Sequence, residues 1–326
     1  MKKNIQIILG IVITIISLYF AFKGIDYKET IEIIKNVDVL KVAFAFIIGT
    51  AFIVVRALRW ECFIPTDRPI RKWVIISAAY IGYMASNVLP AKLGEVVRAY
   101  VLGEKEDLKK SAIFASVVSE RLFDCLTGVV ILSISLIFIE NLPSTVSKAA
   151  LILLAFTVVG IIILVVLSKN KIMAHKIFHK VFSILPQNIA NKLIDFSCNF
   201  IDGIGMKTSP LYIFLLFFYT ILYLAGQVFA INLLLSAFSI KSSLIIGLFM
   251  FAVSGFGFAV PSAPSGIGPF EWAIIFGLSL VGVDKALAAP YALVYHLLGI
   301  VPVSIVGAIC LFSLGINLKT ATKSDK

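Results

Sequence analysis

Residues 211–235 contain no charged side chain, and stretches of the same character recur along the whole chain. A bilayer's hydrocarbon core is crossed by about 20 mainly apolar residues in a helix. Candidate stretches lie at 5–22, 39–55, 73–89, 112–139, 149–167, 211–235, 244–260, 267–281 and 286–314. Of the 326 residues only 14% are charged and 60% are hydrophobic, with a mean hydropathy of +1.02. An average soluble domain carries about 25% charged residues. The expected fold is an all-α polytopic membrane protein, a single integral-membrane domain over residues 1–326. The first stretch follows Lys2 and Lys3 but has no A-x-A-like cleavage site after Phe22, so it is expected to be a retained helix.

The net charge is +11. In a soluble chain that excess points to nucleic acid; between apolar spans it reports orientation, because cytoplasmic connections accumulate Lys and Arg. Arg56, Arg59, Arg68, Arg71 and Lys72 crowd one connection, and Lys105, Lys109 and Lys110 the next. Lys169, Lys171, Lys176, Lys180, Lys192 and Lys207 mark a long connection over 169–209, and Lys319, Lys323 and Lys326 mark the tail. These are expected on the cytoplasmic side of the cell membrane, with both termini cytoplasmic and no nucleic-acid partner.

That charge map turns two interrupted stretches into a problem. Residues 73–102 start and end at basic connections, yet Pro90 breaks the apolar run. Residues 243–281 start and end at connections poor in Lys and Arg, with their break at 261–268. Each is expected to be a re-entrant helical hairpin, the two entering from opposite faces. With the spans on either side they form units over 39–139 and 211–314, an inverted repeat, giving about six full transmembrane helices plus two hairpins. The breaks match in detail: Pro90-x-x-x-Gly94-Glu95 against Pro264-x-x-x-Gly268-x-x-Glu271. The interval from Glu95 to Glu120 equals that from Glu271 to His296. The alternative is that Pro and Gly merely kink two ordinary spans; it puts Lys109 and Lys110 outside, against the charge bias.

Irregular backbone at membrane depth must be buried in protein or line a wet cavity. Helices restarting after a break point free amides toward it, a seat for an anion such as phosphate, and Gly266 and Gly268 allow close approach. Near the first break lie Asn87, Pro90, Lys92, Gly94, Glu95 and Arg98, followed on the next span by Glu120, Arg121 and Asp124. Pro261, Pro264, Glu271 and His296 attend the second. Charges deep in a span cost roughly 2.5–3.5 kcal/mol each, so they are expected to face inward. If that span begins only near Leu122, Asp124 is the sole deep charge. Glu271 is also placed to cap a helix start, and His296 to serve as a packing residue or a titratable gate. Arg56, Arg59 and Trp60, at a span's cytoplasmic end, are expected to anchor it at the interface and contact head groups.

No metal or cofactor is expected. His175 and His179 lack the glutamate of an HExxH motif and sit in a basic amphipathic segment suited to the membrane surface. Cys62, Cys125, Cys198 and Cys310 show no CxxC pairing and are expected to be small buried hydrophobes.

The segments "NVLPAKLGEVVRAYVL" at 87–102, "SERLFD" at 119–124 and "PSAPSGIGPFE" at 261–271 occur in this order. With them the chain, over about residues 5–315, resembles the flippase-like transmembrane region of lysylphosphatidylglycerol synthases, in particular the stand-alone YbhN-like members. The family pattern at the second break is P-x-x-P-G-G-x-G-x-x-E, and Ser265 here replaces its first glycine. The resemblance implies translocation of a lipid or lipid-linked polar group between leaflets. Lysyl transfer is not expected, since no segment resembles the soluble aminoacyl-transfer domain. In the flippase expectation Lys92, Arg98 and Arg121 hold a phosphate-bearing head group while the acids balance charge or relay protons. The alternative is a membrane-embedded glycosyl or head-group transferase acting on a polyprenyl-phosphate-linked substrate. Against it, no D-x-D pair and no nucleophile with a positioned base is visible.

Overall fold

The computed structural model describes residues 2–89, 93–140, 142, 144–169, 209–260 and 262–316, with isolated positions between 173 and 187. Pro90, Lys92, Pro261, His175, Cys198 and the basic tail beyond 316 lie outside the described residues, as does most of the 169–209 connection. The described residues form helices and no strand. In chain order these are α1 (Lys2–Phe22), α2 (Tyr27–Lys35), α3 (Val39–Trp60), α4 (Lys72–Val88), α5 (Gly94–Glu106) and α6 (Lys110–Phe138). Then come α7 (Ser144–Lys169), α8 (Pro210–Ala237), α9 (Leu244–Ala259), α10 (Pro269–Leu280) and α11 (Lys285–Leu314). Single 3₁₀ turns occupy Glu61–Phe63 and Pro264–Gly266.

The helix starts follow local chemistry. Asp38, Ser243 and Asp284 accept amides from Lys41, Ile246 and Ala286 at 3.1, 3.2 and 2.7 Å, each satisfying a donor the helix leaves unpaired. α8 and α10 begin on proline, whose missing amide is not needed there.

Among the described residues four helices are long and apolar enough to cross a membrane: Val39–Phe63, Lys110–Phe138, Pro210–Ala237 and Lys285–Leu314. A fifth is formed if Gly10–Phe22 and Tyr27–Lys35, bent by 78°, count as one span. Four other helices are short. α4 and α5 have 17 and 13 residues, and α9 and α10 have 16 and 12. At about 1.5 Å per residue none reaches the ~30 Å of a hydrocarbon core.

Packing pairs these elements. α3 lies along α8, α4 on α5 and α11, and α9 on α10 and α6. Further pairs are α5 with α6, α10 with α11, α3 with α4, and α8 with α9. Small residues permit the closest approaches. A Cβ on Gly94 would fall 2.0 Å from the Gly82 carbonyl oxygen and 2.1 Å from Ser86 Oγ; one on Gly226 would fall 2.1 Å from the Phe52 ring. Two apolar cores result. One joins Trp60, Ile75, Ile81, Val97, Leu102 and Val117; the other joins Leu234, Phe249, Phe270, Ile274, Tyr291 and Leu298. Cys62 is buried as expected, but Cys125 is exposed on α6 because its position in the helix turns away from both cores.

Candidate functional site

α6 is one uninterrupted helix from Lys110, which carries Glu120, Arg121 and Asp124 well inside it. Glu120 and Asp124 are one turn apart and share a face. That face meets Arg56 and Arg59 of α3 and Arg98 of α5. Glu120 forms an ion pair with Arg98 Nη2 at 2.7 Å and accepts hydrogen bonds from Arg59 Nη2 at 3.2 Å and Arg56 Nε at 3.4 Å. Asp124 pairs with Arg56 at 2.5 Å and with Arg59. Arg121 pairs with Glu95 at 2.6 Å and lies 3.6 Å from Asp124. Aromatic rings wall the cluster. The Arg56 guanidinium lies 5.3 Å from the Tyr83 ring centre and 5.5 Å from that of Tyr223, and Arg98 lies 4.7 Å from that of Trp60. These are cation–π distances.

Burial is graded. Glu120 is fully buried and Arg59 and Arg98 are 2% exposed, whereas Asp124, Glu95 and Arg121 are 23, 27 and 33% exposed. The cluster therefore has a closed floor at Glu120 and opens at Arg121 and Glu95. Formal charge is not balanced: four guanidinium groups face three carboxylates among the described residues. A buried unbalanced charge is costly, so the arrangement favours one further anion, and arginine's planar fork suits two oxygens of a phosphate or carboxylate.

The second break is organised around Glu271 and His296. Glu271 Oε2 accepts the Gly268 amide at 2.7 Å, closing the start of α10, and Oε1 meets His296 Nδ1 at 2.5 Å. His296 Nε2 faces the Ser265 carbonyl at 3.0 Å. Both ring nitrogens thus lie within hydrogen-bond distance of an oxygen. Glu271 accordingly caps and pairs at once. Ser265, which stands where the family pattern has glycine, adopts φ +64°, a left-handed conformation unusual for a serine. Its hydroxyl donates to the Asn87 carbonyl at 3.0 Å, so the end of α4 touches the second break. The Asn87 amide donates to Ser304 Oγ at 3.1 Å, beside Pro302 inside α11. Gly268 has φ +95°, and a Cβ there would meet the Thr14 carbonyl oxygen at 2.7 Å. Thr14 Oγ1 accepts the Ala263 amide at 2.9 Å, so α1 closes one side of this break.

The sequence-derived residues therefore form two groups. Arg98, Glu95, Glu120, Arg121 and Asp124 come together, as do Pro264, Gly266, Gly268, Glu271 and His296. No ion pair joins the two groups among the described residues; the Ser265–Asn87 hydrogen bond ties the second break to the end of α4. Arg56, Arg59 and Trp60, expected at the membrane interface, turn inward instead. Arg59 and Trp60 are buried, and Trp60 Nε1 donates to Ser116 Oγ at 3.0 Å. α3 runs on to Trp60 and is followed by the Glu61–Phe63 turn, which tucks these side chains against α6. Tyr83 and Tyr223 went unnoticed in the sequence; their only signal is a hydroxyl-bearing ring in an apolar helix. Tyr223 accepts Arg56 Nη1 at 3.3 Å.

Fold and site together define a polytopic helical membrane protein with a buried, arginine-rich ionic cluster. The chain belongs to the Lysylphosphatidylglycerol synthase TM region family, whose model matches residues 7–307. It is similar to a UPF0104 membrane protein of Methanocaldococcus jannaschii, with 26% identity over 74% of this chain and 98% of that one. It is also similar to a UPF0104 membrane protein of Pyrococcus horikoshii, with 23% identity over 91% and 93%. The glycosyltransferase AglD of Haloferax volcanii is 29% identical over 38% of this chain but only 20% of its own length. No solved structure matches significantly.

Proposed function

We propose that this protein is a lipid flippase: it moves a phospholipid, or a lipid-linked polar group with a phosphate, between leaflets of the cell membrane. Its working unit is an inverted repeat of residues 39–139 and 211–314, each half carrying a re-entrant hairpin, α4–α5 and α9–α10. The observation that carries this reading is the buried cluster with one positive charge in excess, open on the Arg121 and Glu95 side. A head-group phosphate supplies the missing negative charge, and Arg56, Arg59, Arg98 and Arg121 offer it planar donors.

Packing supports the repeat. Exchanging α3 with α8, α4 with α9, α5 with α10 and α6 with α11 carries the α3–α8 pair onto itself and each of the other packing pairs described above onto another of the set, while the contact of α3 with α11 has no such counterpart. The halves also share an ionic device. The carboxylate at the restarting helix meets a nitrogen-bearing side chain on the following long helix, Glu95 to Arg121 at 2.6 Å and Glu271 to His296 at 2.5 Å. Interrupted helices at corresponding positions of inverted repeats are where transporters bind substrate. The short lengths of α4, α5, α9 and α10 fit hairpins better than full crossings.

The test is lipid translocation in proteoliposomes, read by dithionite quenching of fluorescent phosphatidylglycerol. Faster exchange with the parent protein than with Glu120→Gln and Asp124→Asn is expected. Exchange equal to that of protein-free vesicles would remove the proposal. The partial likeness to AglD is what favours a second reading, a membrane-embedded transferase acting on a polyprenyl-phosphate-linked sugar. Product formation by the purified protein with such a donor would prefer it.

A further inference from the structure

Three tyrosine hydroxyls inside this protein have a hydrogen-bond partner within the chain. On α4, Tyr80 donates to the Thr50 carbonyl at 2.6 Å. Near the cluster, Tyr223 accepts from Arg56, and Tyr295 donates to Ser254 at 3.1 Å. The hydroxyls of Tyr83 and Tyr291 are buried and meet no hydrogen-bond partner among the described residues, and of the two Tyr83 is the one beside the arginines of the cluster. It is also the ring shared by two arginines of the cluster, with Arg56 5.3 Å and Arg121 5.9 Å from its centre. The ring alone provides both cation–π contacts, so phenylalanine would serve packing equally well and would avoid an unpaired buried hydroxyl. The Nε groups of Arg59 and Arg98, on side chains 2% exposed, likewise lack a hydrogen-bond acceptor. Arg98 Nη2 and Arg121 Nε also lack a hydrogen-bond partner, against one such acceptor, Glu120 Oε2, so donors exceed acceptors around this cluster, and the Tyr83 hydroxyl lies with Arg121 Nε beside its open side.

We propose that Tyr83 is a specificity-determining residue: its hydroxyl donates to a phosphate oxygen of the lipid head group seated between Arg56 and Arg121. This rests on the head-group reading above and adds to it a discriminating contact. A lipid with an acceptor-only anionic oxygen satisfies Tyr83 and the surplus guanidinium donors together. A lipid whose head is a bare hydroxyl satisfies at most the former.

Two conservative variants separate this role from a structural one. In detergent, binding of dioleoylphosphatidylglycerol and of dioleoylglycerol is measured by native mass spectrometry, alongside the thermal midpoint without added lipid. Tyr83→Phe is expected to weaken phosphatidylglycerol binding about tenfold, the loss of one hydrogen bond to a charged acceptor, with the midpoint unchanged or raised. Tyr80→Phe, which removes a satisfied internal bond, is expected to lower the midpoint and leave phosphatidylglycerol binding within about twofold. If the parent prefers phosphatidylglycerol and Tyr83→Phe binds it equally well, the Tyr83 assignment falls while the head-group reading stands. A midpoint that drops in Tyr83→Phe as in Tyr80→Phe makes the hydroxyl structural and also overturns the assignment. If the parent shows no preference for phosphatidylglycerol over dioleoylglycerol, both fall.

Discussion

Replacing Glu120 by glutamine tests whether the ionic cluster holds the helices together as well as facing a ligand. Glu120 is fully buried and contacts three arginines at 2.7, 3.2 and 3.4 Å. At an effective dielectric of about 20, unit charges roughly 3 Å apart attract by ~5.5 kcal/mol. Desolvating the carboxylate offsets part of this, and removing one partner of a buried pair costs about 3–5 kcal/mol. Glutamine keeps the shape and one acceptor oxygen, which puts the expected loss near the lower end, about 3 kcal/mol. For a chain of this size that corresponds to a midpoint lower by roughly 4–5 °C. Trp60 sits against Arg98 at 4.7 Å, so intrinsic tryptophan fluorescence during a thermal ramp in detergent reads the event locally. Glu104→Gln is the control. Its partner Lys110 is 2.7 Å away but both are about half exposed, and such pairs contribute little. A Glu120→Gln midpoint as close to the parent as that of Glu104→Gln would refute the reasoning, because burial would then add nothing to the pair.

Four further outcomes are expected. Gly94→Ala drives a methyl into Gly82 and Ser86 and separates α4 from α5; a loss of about 1–3 kcal/mol and weaker phosphatidylglycerol binding, through displaced Arg98, are read by thermal melting and native mass spectrometry. Thr14→Val removes the acceptor of the Ala263 amide, costing about 1–3 kcal/mol, and increased protease cleavage within 259–268 reports the opened segment. Glu271→Gln retains an oxygen for the Gly268 amide but loses the charge facing His296, so it should be less damaging in thermal melts than Glu271→Leu, which loses both. Asp38 accepts the Lys41 amide and lies 3.4 Å from its ammonium, which hold its carboxyl below the usual aspartate range. Its contribution is present above the unfolded pKa of about 3.9 and is lost as pH falls through the lower folded value, so Asp38→Asn should flatten the stability decline on the acid side of that window.

The helical class, the apolar segments and the residues now found in contact were legible because each announces itself locally. A charge in an apolar run or a proline at a break needs no partner to be noticed. The equal spacing of Glu95–Glu120 and Glu271–His296 even anticipated which helices carry the ionic contacts, although in the first half it is Arg121, one residue on, that meets Glu95. Less legible was the direction taken by Arg56 and Arg59. A basic residue at a span's end looks the same in sequence whether it reaches for lipid or for a carboxylate, and here Asp124 lies 68 and 65 positions away. Tyr83 and Tyr223 stayed hidden for a related reason: aromatic residues are ordinary in apolar helices, and only the positions of the arginines distinguish them. Ser265 is a third case. Nothing in its neighbours along the chain shows that it takes a left-handed backbone or that its hydroxyl has a partner on α4.

The Thr14–Ala263 hydrogen bond spans 249 positions. During synthesis α1 emerges long before the segment it closes, and each added length of intervening chain raises the entropy lost when the two meet. The second break acquires this contact only once it has found a helix made much earlier. Contacts of such sequence separation form late and slowly. One threonine hydroxyl thus ties a helix made earlier to a segment made much later.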